Sequence, residues 1–204
     1  MKANIKTILA PMSPKQKISY IWDYFRFHIM GTIAAIILVI YLIGNVGEKK
    51  ETYLNLTIMG EGLNTENIVQ IQEDLTNKLV TDKDQEEVFV QSIIYGQSSM
   101  DPASQVGIQK FTAVLSSGDI DVMIVQQEFF EKLSFQEGLL DLNELGLNLE
   151  AKTVFKSGEN VYGMDASDIE LLSPLQLKDN MVICVPRNTK NLDNITQFFT
   201  LITE

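Results

Sequence analysis

The sequence predicts an α/β protein in two parts: an N-terminal transmembrane helix, then a single, mostly parallel sheet domain with helices on both faces. Three observations carry this. Residues 29–47 hold no charge. The residues before them are basic and those after them acidic. From Tyr53 onward, strand-like and helix-like segments alternate, the order that lays helices over a parallel sheet through crossover connections.

The charge distribution comes first because it sets the class. Residues 1–28 contain Lys2, Lys6, Lys15, Lys17 and Arg26 against the one acid Asp23, whereas the remaining eleven of the 16 basic residues share 48–204 with 26 of the 27 acids. The formal net charge of −11 is therefore the sum of a basic head and a strongly acidic body. An acidic body is a poor binder of phosphate backbones, so no nucleic-acid partner is expected. With 45% hydrophobic residues the chain is too apolar for wholesale disorder.

Within the uncharged run, the stretch 29–44 places apolar residues on every helical face, as a helix in lipid requires. Extended to 27–46 it has 20 residues, which at about 1.5 Å each reach roughly 30 Å, the thickness of a bilayer's hydrocarbon core. A cleaved signal peptide and a buried core helix are the competing readings. The long charged region before the run, and the lack of a small-x-small site after Gly44, argue against the signal peptide. Before the run, Ser13 suits an N-cap and Pro14 the first helical position. Lys15, Lys17, Trp22, Tyr24 and Arg26 then form a membrane-interface set of bases and aromatics, with the lipid bilayer as partner. Ile18, Ile21, Trp22 and Phe25 share one stripe, read either as a helix extension at the membrane surface or as a docking face for a membrane partner. Bases ahead of a span keep that end in the cytoplasm. The expected division is a basic cytoplasmic or interfacial segment at 1–26, a span at 27–46, a linker at 47–52 and an extracytoplasmic domain at 53–204.

Within the domain, 53–59 is rich in β-formers and stops at Gly60-Glu61-Gly62. Ile68, Ile71, Leu75 and Leu79 then recur at helical spacing over 65–80. The order repeats with a strand at 88–95, a helix opened by Asp101-Pro102 with Ile108, Phe111, Val114 and Leu115 inward, and a strand at 120–125 whose near-continuous apolar run, Val122 to Val125, implies cover on both faces. A short helix at 127–133 and a helical turn at 139–145 follow, then a strand at 152–155. Gly158 and Gly163 are read as turns around Val161-Tyr162. The strand 181–185 ends at Pro186, and Leu192, Ile195, Phe198, Phe199 and Ile202 mark a terminal helix.

Gly118-Asp119-Ile120-Asp121-Val122, with Phe129-Phe130-Glu131-Lys132-Leu133 and Gly138-Leu139-Leu140-Asp141-Leu142 after it, resembles a segment of bacterial extracytoplasmic solute-binding proteins of the ABC-importer type. The run Val185-Pro186-Arg187-Asn188-Thr189-Lys190-Asn191 before an amphipathic helix is similar to their return strand and closing helix. The resemblance covers about a third of the body and implies one lobe of such a protein, held by a membrane span. No ligand-contact motif of that family matches residue by residue, so none is carried over. The layout as a whole is similar to that of single-pass membrane proteins of Gram-positive bacteria.

In open α/β sheets, ligands gather beyond the carboxyl ends of the strands near the switch in strand order. That rule selects Gly60, Glu61 and Gly62; Tyr95, Gln97, Ser98 and Ser99; and Gln126, Gln127 and Glu128 as candidate ligand-binding residues, against the reading of ordinary strand-ending turns. Asp119 and Asp121 share a strand face and are read as capping its start. Asp82, Asp84, Glu86 and Glu87 lack the glycine and spacing of a calcium loop. Asn55-Leu56-Thr57 and Asn194-Ile195-Thr196 match the glycosylation pattern inside a strand and a helix, where the match is read as chance. A lone histidine, His28, at the membrane boundary and a lone cysteine, Cys184, in an apolar strand supply no nucleophile and base, no metal set and no cofactor loop. The expectation is a noncatalytic binding or interaction module without cofactor that senses a solute or assists a transporter or envelope complex. The alternative is a structural subunit of a membrane complex with no small-molecule ligand; an extracytoplasmic enzyme comes third.

Overall fold

The computed structural model describes residues 13–45, 50–95, 101–147, 149, 152–178 and 180–203. The chain divides into two compact units, Met1–Lys49 and Lys50–Glu204.

The first unit is one helix, α1 (Pro14–Asn45), of 32 residues. Its start is held by a reciprocal pair: the Ser13 backbone N–H donates to Gln16 Oε1 at 3.0 Å, and the Gln16 N–H to Ser13 Oγ at 3.5 Å. This is a capping box. Five successive apolar side chains, Ile36, Ile37, Leu38, Val39 and Ile40, are each 50–64% exposed. Among the residues whose side chains are described, no helix is long and apolar enough to cross a membrane. The apolar run continues into residues 41–45, which lie in α1 but whose side chains fall outside the described set.

The second unit is built on a six-stranded sheet. Its elements are β1 (Glu51–Gly60), α2 (Thr65–Leu79), β2 (Glu86–Ile94), α3 (Pro102–Ser117), β3 (Val122–Gln126), α4 (Gln127–Phe135), β4 (Val154–Ser157), β5 (Asn160–Asp165), β6 (Met181–Cys184) and α5 (Leu192–Thr203), with short 3-10 turns between α4 and β4 and between β5 and β6. The strand order is β2-β1-β3-β6-β5-β4.

The expected sheet was mostly parallel; the observed one is mixed. β1 runs parallel to β2 and β3, but β3–β6, β5–β6 and β4–β5 are antiparallel. Two local causes account for this. Only Gly158 and Glu159 separate β4 from β5, with Gly158 at φ 66, and a two-residue loop joins only antiparallel strands. After β5 the chain stays at the end of the sheet where that strand finishes, so β6 has to run back. Gly163 is likewise not a turn residue. It lies inside β5, where a Cβ would come within 2.6 Å of Val182 Cγ1 and 2.8 Å of Phe130 Cε2.

Helices cover both faces, as alternation along β1 requires. Leu54, Leu56 and Ile58 point into the larger core with Ile71 and Leu75 of α2 and Phe198 and Phe199 of α5. Met59 points into the smaller one with Ile93, Met123 and Val125, closed by Phe111 of α3 and Phe130 of α4. Asp101 caps α3 by accepting from the Ser104 N–H at 3.3 Å, and Gly118 ends it at φ 72. The outer edge of β2 is covered as well. The Val88 N–H donates to Thr76 Oγ1 at 3.0 Å and the Val90 N–H to Gln72 Oε1 at 3.1 Å, both from α2.

Candidate functional site

Because β1, β2 and β3 are parallel, their carboxyl ends lie along one edge. Tyr95 marks that edge, its N–H donating to the Gly60 carbonyl at 3.2 Å. Gly60 is buried at the end of β1, while Glu61 and Gly62 are exposed, Gly62 at φ 74. Tyr95 is half-buried and meets Phe129 edge to face, with ring centroids 5.9 Å apart. Gln126 closes β3. The Gln127 N–H donates to the Asn180 carbonyl at 2.9 Å, and its amide to Glu131 Oε1 at 2.9 Å. Glu128 is exposed. Gln97, Ser98 and Ser99 lie outside the described residues.

Sequence reasoning missed what the antiparallel return strand does here. The segment entering β6 reaches the same edge: Lys178 pairs with Glu61 at 3.2 Å, and the Met181 methyl lies where a Cβ on Gly60 would be 3.7 Å away. No local pattern announces this, because β6 is distant in sequence from the loops that it approaches.

At the membrane-interface set, Lys15, Trp22 and Arg26 are exposed and Lys17 is half-buried, whereas the side chain of Tyr24 falls outside the described set. The Arg26 guanidinium stands 4.8 Å from the centre of the Phe27 ring.

The pair Asp119 and Asp121 divides. Asp121, 3% exposed, accepts from the Asn55 N–H at 2.8 Å, from Thr189 Oγ1 at 3.1 Å, and from Asn191 Nδ2 at 3.1 and 3.2 Å. It ties the start of β3 to the middle of β1 and to the loop before α5, so all its lone-pair capacity is used. Asp119 is exposed and takes the Ser117 hydroxyl at 2.6 Å. Beside them is a cavity of about 270 Å³, on the half of the sheet away from the strand-end loops. A broader groove of about 620 Å³ lies between α2, the 3-10 turn before β6 and α5, lined by Lys78, Glu170 and Leu201 among others. Neither is lined by the residues of the strand-end loops. Cys184 is fully buried in β6, and burial pushes its thiol far above the usual range, which keeps it neutral. Among the described residues, no cluster of three or more His, Cys, Asp or Glu could hold a metal ion.

No protein-family model matches the chain. No curated protein sequence matches it either. Among solved structures it is similar to an extracellular solute-binding protein of family 1 from Alicyclobacillus acidocaldarius, at 13% identity and a TM-score of 0.39, covering 58% of this chain and 29% of that one. An ABC substrate-binding protein from Listeria monocytogenes, solved in complex with cycloalternan, gives 16% identity and a TM-score of 0.37 over 55% of this chain and 29% of that one. The N-glycan transport solute-binding protein of Streptococcus pneumoniae, in complex with Man1GlcNAc, gives 12% and 0.34 over 55% and 24%. The chain thus spans less than a third of the length of each of these proteins.

Proposed function

We propose that this chain is a single-pass membrane protein whose 53–204 domain lies outside the cytoplasmic membrane and binds a solute, or a transporter or envelope partner, without catalysis. The observation that supports the anchor is the uncharged apolar run within α1. At about 100° per residue, the five successive apolar residues Ile36 to Ile40 sweep the whole helix circumference, so the helix has no polar face there. The basic head orients the span with its N-terminus inside. Alkaline carbonate extraction of membranes carrying the full chain, together with C-terminal reporter fusions, tests this. Retention in the pellet with extracytoplasmic reporter activity is expected; release into the supernatant, or cytoplasmic activity, overturns it.

The proposed solute site is the strand-end edge: Gly60, Glu61 and Gly62, Tyr95, Gln97, Ser98 and Ser99, and Gln126, Gln127 and Glu128. Its support is the parallel course of β1, β2 and β3, which end side by side. The Glu61–Lys178 pair and the methyl of Met181 over Gly60 favour a second reading, a structural subunit with no small-molecule ligand. Melting of the detergent-solubilised full chain with sugars, peptides and amino acids separates the two. Stabilisation that Glu61→Gln weakens supports the solute site; no stabilisation by any class leaves the structural subunit.

A further inference from the structure

We infer that the small cavity on the opposite half of the sheet, between β1, the end of α3 and the loop before α5, is a binding site for a small zwitterion of the amino-acid type. It does not rest on the strand-end edge or on the membrane anchor.

The argument begins with Asn55. The residue is 8% exposed, and its Oδ1 accepts from Thr57 Oγ1 at 3.3 Å and from Gln91 Nε2 at 3.4 Å. That directs the amide with its Nδ2 away from both donors, and no described residue accepts from Nδ2. Among the described residues, every side-chain nitrogen or oxygen sealed from solvent has a partner. The Nδ2 is therefore a donor that reaches open space, and Asn55 is among the residues that line this cavity. A donor held this way, nine-tenths buried and unspent, is costly unless something accepts from it.

The other lining groups supply the complementary half. Asp119 uses Oδ2 on Ser117, leaving Oδ1 without a described partner. Asn191 spends both its donor bonds on Asp121, leaving its Oδ1 as an acceptor. The Lys190 ammonium makes one long bond, to the Ser117 carbonyl at 3.4 Å, and retains two protons. Lys190 and Asp119 line the same cavity without pairing with each other; the ion pair among the described residues is Glu61–Lys178. A cation and an anion facing one space, each with capacity left, match a ligand that carries both charges. The ligand carboxylate goes to Lys190 Nζ and Asn55 Nδ2, and its ammonium to the oxygens of Asp119 and Asn191. At about 270 Å³, with Thr52, Gly118 and Asp121 completing a wall that has no apolar side chain, the space holds one small polar amino acid and offers nothing to a large apolar one; both Asp121 oxygens are already taken by Asn55, Thr189 and Asn191.

Isothermal titration calorimetry on the detergent-solubilised full chain tests this, with glycine, serine, acetate, methylammonium and glucose as the probes. Glycine and serine bind, while acetate and methylammonium, each carrying half the charge pattern, bind about tenfold more weakly or not at all, since a charged hydrogen bond is worth that factor or more. Asp119→Asn and Lys190→Met each weaken glycine by about tenfold, and Lys156→Gln, an exposed position on β4 at the far edge of the sheet, leaves it unchanged. Both cavity side chains are exposed, and thermal melting reads whether the variants stay folded. If Lys190→Met unfolds, Lys190→Arg, which keeps the charge and overfills the space, takes its place. Absence of binding by either amino acid overturns the inference. So does glucose binding as tightly as glycine, or binding that survives both substitutions.

Discussion

At the scale of single residues, two glycines fix how closely neighbouring elements approach. A Cβ at Gly107 would overlap the Ile94 carbonyl oxygen, and one at Gly163 would meet Val182 and Phe130. Alanine at either position should lower stability by about 1–3 kcal/mol, the ordinary cost of overpacking a well-filled site. Gly31 of α1, with nothing within 4 Å, is the control: its alanine variant meets no overlap and should not lower the melting temperature. Two titrating groups predict behaviour at high pH. The Cys184 thiol is raised above its ordinary 9.0 by burial, and the Tyr53 phenol above its ordinary 10.0 by desolvation and then by the nearby Glu86 charge. Both are neutral in the folded chain at a pH where the unfolded chain ionises them. The folded state then holds the extra protons, and stability present below pH 9 falls as the pH rises past each ordinary value. Melting curves from pH 8 to 11 read this, and Tyr53→Phe should flatten the part of the decline above pH 10.

Among the elements, β2 is an edge strand whose outward N–H groups are taken up by α2 side chains. Replacing Gln72 with Met and Thr76 with Val keeps the volume but frees the Val88 and Val90 donors. The double variant should lose about 1–3 kcal/mol, since two neutral hydrogen bonds go and the donors are left part-buried. Hydrogen exchange at Val88 and Val90 should speed up ahead of the rest of β2, and unprotected edge donors should favour association at high concentration. The same elements mark what the sequence makes legible. The run Val122 to Val125 is legible as a strand covered on both sides, because every residue in it is apolar, and all four are fully buried. Strand direction in the second half is not, since Met123 pairs with Cys184 across 61 positions and no local pattern encodes that. The strand-end loops were placeable because they follow directly from the strands. The Asp121 network was not, as its partners lie 66 to 70 residues away.

For the molecule as a whole, charge separates along the chain more sharply than the total suggests. Lys15, Lys17 and Arg26 are three of the five bases before the uncharged run, and bases near a span govern its orientation. In the single-pass arrangement proposed above, changing all three to Gln should shift part of the population to the inverted topology, seen as a fall in extracytoplasmic activity of a C-terminal reporter. Wild-type reporter activity in the triple variant would mean that these bases do not set the orientation.

The strand order also has a consequence in time. β6 sits between β3 and β5 in the sheet, yet it is the last strand in the chain. During synthesis the parallel piece, β1 to β3, and the β4–β5 hairpin have no strand to join them until residues 181–184 emerge, and a hairpin alone is marginal in water. The strand Met181–Cys184 is the keystone of the sheet. Chains stopped short of it would carry both halves of the domain and still leave the facing edges of β3 and β5 unpaired.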